Sequence, residues 1–323
     1  MRTLPLLGLS LFAITFAACS SSGTLTGANP SAPAQSTAGR SAIGPNGVTP
    51  RHLANRHGWI SPNLKPNTQL LYVSDEGDNL IDVFTVPDYS LAGQITDGID
   101  QPEGIAVDKK GNLYVSNLSG NTVTVYPRGS TDQYQTLSEP DGPDDVAVTK
   151  NGYVLAGDTA GGVDVYAPGA TSPTTRLTNS SVDGGVYGVG ADAHNNAYAA
   201  GFGNSAPAVV EFKHLKGAGV NLGLTGMSFP VGVLVDKHGN IVESDFSGGF
   251  INIYPPGSTS PSSSISASEA ERSSLNKAEN LIYVPQGGND DVAVDDYSSG
   301  TNVTTISIGN FTTGTALSPA PKP

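Results

Sequence analysis

One stretch of sequence is written several times along this chain. It is clearest at 102–126, PEGIAVDKKGNLYVSNLSGNTVTVY. It returns at 143–166 as PDDVAVTKNGYVLAGDTAGGVDVY and at 230–254 as PVGVLVDKHGNIVESDFSGGFINIY, and a degenerate copy covers 186–212. Each copy opens with a short apolar run, passes through a Gly- or Asn-containing turn, and continues in β-branched and aromatic runs. That is hairpin chemistry rather than helical patterning. Four strands, A to D, are expected per unit. In the clearest unit, A is the run around 105–107, B covers 113–117, C covers 122–126, and a weaker D follows near 134–137. A sheet this small cannot bury its faces alone, so an array of them folds only by stacking unit on unit.

The register of the repeats decides how the array ends. Strand A ends at Asp108, Thr149, Asp192, Asp236, Asn276 and Ser318, at intervals of 40–44 residues. Strand B begins near Leu71, Leu113, Tyr153, Ala197, Ile241 and Leu281. The two series are out of step by one. The first B strand, 71–75, has no A strand before it, because 61–66 is not strand-like. The last A strand, 313–317, has no B strand after it. Pairing these two orphans completes a sixth blade and closes a ring, which removes free sheet edges. An open solenoid would need atypical capping units instead. The expected fold is therefore all-β: a six-bladed β-propeller over 67–320, clasped by its C-terminal strand.

Composition agrees and narrows the partners. Gly (40) and Pro (23) are abundant and charged residues make up only 14% of the 323 residues, which suits short strands and tight turns. Net charge is −13, with 16 basic against 29 acidic residues. Neutralising phosphates takes Lys and Arg, so nucleic acid is not an expected partner. The single cysteine allows no disulfide within the chain.

That cysteine follows an export signal. Residues 1–18, MRTLPLLGLSLFAITFAA, hold a basic start and an apolar run too short to span a membrane. The run Phe16-Ala17-Ala18-Cys19 resembles the lipobox of bacterial lipoproteins. The resemblance implies cleavage before Cys19, lipidation of its thiol and a protein held at the cell envelope, outside the cytoplasm. Ordinary secretion is the alternative. Residues 19–66 read as a tether, since 20–50 carries almost no large apolar side chains to offset ordering entropy. Trp59 and Ile60 are the residues that would pin its end to the folded domain.

The repeat pattern P-x-G-[IV]-A-V-D-x-x-G-N-[LI]-Y-V-[ST]-[ND] resembles the NHL-repeat, SMP-30/gluconolactonase and streptogramin-lyase group of six-bladed propellers, over residues 70–319. In these families the face carrying the B–C and D–A loops holds the sites. Sorted by loop, 17 of the 29 acidic residues fall on that face, with Arg272 as its one basic residue. Lys109, Lys110, Arg128, Lys150 and Lys237 fall on the other.

An acidic mouth suits a cation, and Ca²⁺ takes six to eight oxygens from carboxylates, amides and carbonyls. The candidate ligands are Glu103, Asn117, Asp144, Asp145, Asp158 and Asp245, with Asp75 beside them. The competing reading is that Asp and Asn at strand ends form Asx-turns with nearby backbone N–H groups. It applies best to Asp75, Asn117, Asp158 and Asp245, which recur at equivalent repeat positions. Glu103 and the Asp144–Asp145 pair break the repeat. Resemblance to the SMP-30 group implies a divalent ion held by Glu, Asn and Asp, types matched by Glu103, Asn117 and Asp245. Resemblance to the lyase group implies a catalytic His. However, His194, His214 and His238 all belong to the basic face, and His52 and His57 precede the ring.

No G-x-S-x-G or H-E-x-x-H pattern is present. The function expected is a binding or scaffold module, monomeric and envelope-anchored, that meets a protein, glycan or small molecule through its acidic face. The alternative is a Ca²⁺-dependent hydrolase, lactonase-like, or a lyase, with its site at the channel mouth.

Overall fold

In a computed structural model, which describes residues 57–139, 141–203 and 206–318, the repeats form six antiparallel sheets. The export signal, Cys19 and most of the expected tether lie outside the described residues. Strand A of the second blade is Pro102–Val107, B is Leu113–Asn117, C is Thr122–Tyr126 and D is Gln135–Ser138. The third blade (Pro143–Val148 to Thr175–Leu177), fourth (Gly185–Ala191 to Val220–Asn221) and fifth (Pro230–Val235 to Ser263–Ser266) repeat the plan. The sixth runs from Ser274–Leu275 to Asn302–Ser307.

The first blade is assembled from both ends of the folded region. Thr312–Ser318 pairs antiparallel with Gln69–Asp75, matching Leu71 to Leu317 and Val73 to Thr315. The clasp expected from the register is thus present. The same blade has a fifth strand, because Trp59–Ile60 pairs with Gln94 and Gly93 at its outer edge. The chain therefore joins the ring ahead of residue 67. Residues 61–66 form no strand.

Alternation along each strand explains how blades stack. One face of a sheet packs on the preceding blade and the other on the following one, so both faces are apolar. Six buried clusters result, one at each blade-to-blade interface. The cluster closing the circle sets Leu71, Val73 and Leu317 of the first blade against Tyr283, Val292 and Ile306 of the sixth.

Two repeat residues have clear structural work. In the A–B turn, Asp108 accepts N–H groups from Lys110 and Asn112, and its second oxygen accepts the Asn112 amide at 2.8 Å. Asp192 with Asn196 and Asp236 with Asn240 repeat this geometry. At the end of strand C, Tyr126, Tyr166 and Tyr254 donate their hydroxyls to carbonyls of Asp97, Ser138 and Thr225, stapling each blade to the loop before it.

Candidate functional site

The first residue after strand B donates its N–H to the carbonyl of the residue just before strand A. The pairs are Glu76 to Phe311 (2.9 Å), Leu118 to Gln101 (2.9 Å), Thr159 to Gly142 (3.3 Å) and Phe246 to Phe229 (2.9 Å); in the sixth blade Gly287 donates to Glu269 (3.2 Å), which precedes an isolated bridge at Ala270 rather than strand A. In the fourth blade the bond runs the other way, from Gly184 to Phe202 (2.8 Å). These bonds fix the B–C and D–A loops side by side on one face and ring the channel mouth with those residues.

Just below this ring the channel is crossed by Arg272. It is 4% exposed. Its guanidinium pairs with Glu103 of the second blade at 3.0 Å, with Asp144 of the third, and with its neighbour Glu271 at 2.9 Å. Nε donates to the Tyr187 carbonyl of the fourth blade at 3.2 Å, and Nη1 to the Thr313 carbonyl of the first at 3.4 Å. Its own backbone bridges in parallel to the clasp, Arg272 N to Thr313 O and Thr315 N to Arg272 O. One side chain therefore reaches five of the six blades. Five fixed donors in a planar fork suit Arg to this role.

The carboxylates singled out by sequence are thus divided among different partners. Glu103 and Asp144 hold Arg272, so the cation in the channel is a guanidinium from the chain itself. Asp145 accepts the N–H groups of Val146 and Val189, each at 2.8 Å, and welds the third blade to the fourth. Asp245 accepts three N–H groups, from Ser228, Phe229 and Gly248. Asn117 accepts the Asp100 N–H and donates to Thr124. Asp75 accepts the Asp78 N–H at 2.8 Å. Asp75 and Asp245 show the local turn bond, each accepting the N–H three residues on, while Asn117 takes its N–H from the preceding loop. The Glu103, Asn117 and Asp245 set implied by the SMP-30 resemblance does not fit a shared metal ion, since each side chain is spent on its own partners.

Asp158 belongs to a second group. Glu139, Asp141 and Asp158 bring one oxygen each to within 4.8 Å of one another. Arg176 already lies among them, 2.8 Å from Asp158, 3.2 Å from Asp141 and 3.3 Å from Asp164. Like Glu103 and Asp144, this group therefore holds an arginine of the chain itself.

Burial sets the electrostatics. Desolvation pushes Glu103 up to about 8, although Arg272 pulls it back, and raises Glu271 and Asp145 well above the usual carboxylate range. Desolvation lowers Arg272, yet a guanidinium stays charged in proteins. A neutral carboxyl at neutral pH can donate a hydrogen bond or a proton. Among the described residues, Glu103 is paired with Arg272, and His194 and His238 sit in turns of the opposite face.

The sequence reading missed the aromatic residues. Tyr187, Phe202 and Phe229 form a triangle with centroids 5.0–6.1 Å apart; Phe246 continues from Phe229 at 6.1 Å, and Phe311 from Phe246 at 6.5 Å. All but the buried Tyr187 are half-exposed. They occupy the mouth ring of the fourth, fifth and first blades. Over the sixth, the ring position is Gly287, where an added Cβ would lie 2.6 Å from the Phe311 ring. Next to Phe311 the ring turns polar, with Glu76 accepting from the Gln101 amide at 2.8 Å. For Phe229, Phe246 and Phe311 the signal was available: an aromatic just before strand A or just after strand B stands outside the repeat pattern.

Comparisons with known proteins bear on the fold. The family model described as strictosidine synthase-like, N-terminal, matches residues 93–125, which span the last strand of the first blade and most of the second. No curated protein matches the chain. A propeller from a nidogen/laminin complex is similar in structure, with TM-score 0.64 and 13% identity over 77% of this chain and 98% of that one. A Bacteroides caccae protein of unknown function is similar with TM-score 0.62 and 12% identity, over 78% of this chain and 99% of that one.

Proposed function

We propose that this six-bladed propeller is a non-catalytic binding module that holds a partner protein on its loop face. The observation that carries the reading is the pairing of a half-exposed aromatic arc with a channel occupied by Arg272 and its carboxylates. Aromatic side chains left half-exposed on a rigid rim are what protein interfaces use as anchors. A channel crossed by an arginine leaves the mouth, rather than the interior, as the contact surface. The structural likeness to a propeller from a nidogen/laminin complex supports a protein partner. The export signal at 1–18 and the lipobox-like run before Cys19 support display at the envelope through an acyl chain, with secretion as the alternative.

The test uses the full chain as bait for extracytoplasmic proteins of its source. A partner retained by the wild-type chain, lost with Phe246→Asp and kept with Lys109→Asp on the opposite face, is the expected result; melting curves would confirm that both variants fold. Turnover of a lactone panel that disappears in Glu103→Gln would overturn the binding reading in favour of a hydrolase.

A further inference from the structure

We infer that the mouth takes a basic side chain of a partner polypeptide, with its stem on Phe311 and Phe246 and its charged head among Glu76, Glu269 and Glu271. This rests on the binding role proposed above and names the chemistry of the partner.

Three observations meet at one point of the rim. The first is the local excess of carboxylate. Arg272 is a single cation, and Glu103, Asp144 and Glu271 already touch it. Glu76 and Glu269 add to that group from the loops directly above, close enough to act electrostatically on Glu271. The second is an unspent acceptor. Glu271 is fully buried, and its Oε1 has no hydrogen-bond partner, while Oε2 is held by Arg272 at 2.9 Å. A buried acceptor left unpaired is costly, and a donor that settles above it lowers that cost. The third is the apolar support. The Glu76 N–H is bonded to the Phe311 carbonyl, and the Gly287 N–H, beside the Phe311 ring, to the Glu269 carbonyl, so both acidic residues come from the loops that hold Phe311. Lys and Arg lay their methylene stems on such rings and keep the charge at the polar edge.

The distribution of charge favours a polypeptide over a small amine. Asp97, Asp100 and Asp183 are exposed on loops of the same face, in other blades than the one that carries Phe311 or at its far loop. A single ammonium neutralises the central group alone. A segment with several basic residues meets both the centre and these outlying carboxylates, and its approach is steered by the field of the whole face.

The probe is acetylated hexalysine, titrated into the full chain by calorimetry at low and moderate salt, with hexaglutamate and lysine amide as comparisons. The inference expects hexalysine to bind and hexaglutamate not to. Glu76→Gln should weaken hexalysine about tenfold, and Phe311→Ala about threefold to fivefold. Asp132→Asn, on the opposite face, should leave it unchanged. Should Phe311→Ala fail to fold, the conservative Glu76→Gln decides alone. Equal weakening by Asp132→Asn overturns the inference, because the attraction is then only net charge. Lysine amide binding within a few-fold of hexalysine overturns the polypeptide in favour of a small amine. Hexalysine failing while a partner is still retained by the wild-type chain and lost in Phe246→Asp overturns this inference alone and leaves the binding face standing.

Discussion

Arg272 stands buried among more carboxylates than it can balance, so its removal is expected to act through charge before shape. Arg272→Met keeps the bulk and strips the countercharge from Glu103, Asp144 and Glu271. Breaking a buried pair from one side costs about 3–5 kcal/mol. The cost falls when those carboxylates are protonated, so urea unfolding should show a larger loss at pH 8 than at pH 5. An equal loss at both would mean the residue acts by packing alone. A related effect is expected in the wild type. Burial holds Glu103, Glu139 and Glu243 up to about 8 and Asp82 up to about 7. Folded-state values above the unfolded ones mean the native state binds extra protons, so stability is full below pH 4.5 for the glutamates and below 3.8 for Asp82, and is lost as pH rises through about 8 and about 7 respectively. The melting temperature should fall between pH 5 and pH 8. Glu243→Gln isolates one contributor. Glu243 Oε2 accepts from Asn252 at 3.0 Å, and Oε1 is buried without a partner. The amide keeps the shape without the charge, and it should flatten the pH dependence and stabilise at pH 8 by at least about 1 kcal/mol. A variant as pH-sensitive as the wild type would place the titration elsewhere. Arg272 was visible in the sequence as the one basic residue among acidic loops, but its partners were not. Glu103, Asp144 and Glu271 come from three blades, and repeat spacing says nothing about which side chains converge across a channel.

At the scale of the element, local chemistry was the easiest part to read. Strands B and C of the second blade, 113–117 and 122–126, fall where their pattern placed them. So does the A–B turn, because Asp and Asn four residues apart bond within the turn itself. The turn gives its own prediction. Asp236 is 5% exposed and accepts from His238 N, Asn240 N, the Asn240 amide and the Tyr297 hydroxyl. Asp236→Ala leaves those donors short of a partner and should cost about 2 kcal/mol in urea unfolding. Asp132→Ala, on an exposed loop of the same face, should cost under about 0.5 kcal/mol. Equal losses would deny the turn its role. Elements defined by distant partners were harder to see. Trp59–Ile60 is two residues long and is a strand only because the first blade offers it an edge. The aromatic arc is likewise written one or two residues per blade, and becomes a surface only when the circle brings Phe311 round to Phe246.

Closure belongs to the whole molecule, and the C-terminal strand is where it can be broken. All seven residues of Thr312–Ser318 are buried. The strand pairs with Gln69–Asp75 on one side and supplies Leu317 to the interface between the sixth and first blades. It also accepts Arg272 through Thr313, and its Thr315 hydroxyl donates to the Tyr283 carbonyl. Deleting 310–323 removes the pairing, the interface and part of the channel together, and leaves strand 69–75 with an open edge. The expected loss is comparable to the stability of an ordinary domain, about 5–15 kcal/mol. The truncated chain should therefore lack a cooperative melt, and its first and sixth blades should exchange amide protons freely. A single proteolytic cut after Gly257 provides the contrast. That turn joins strands C and D of the fifth blade on the opposite face, and an added Cβ at Gly257 would meet nothing. Sheet pairing on both sides of the cut survives, so the nicked protein should stay whole under native conditions and melt within a few degrees of the intact chain. If the truncated chain melts with the wild type, the ring does not depend on its clasp. If the nicked chain collapses as completely as the truncated one, backbone continuity, not the seam between the first and last strands, holds the circle shut.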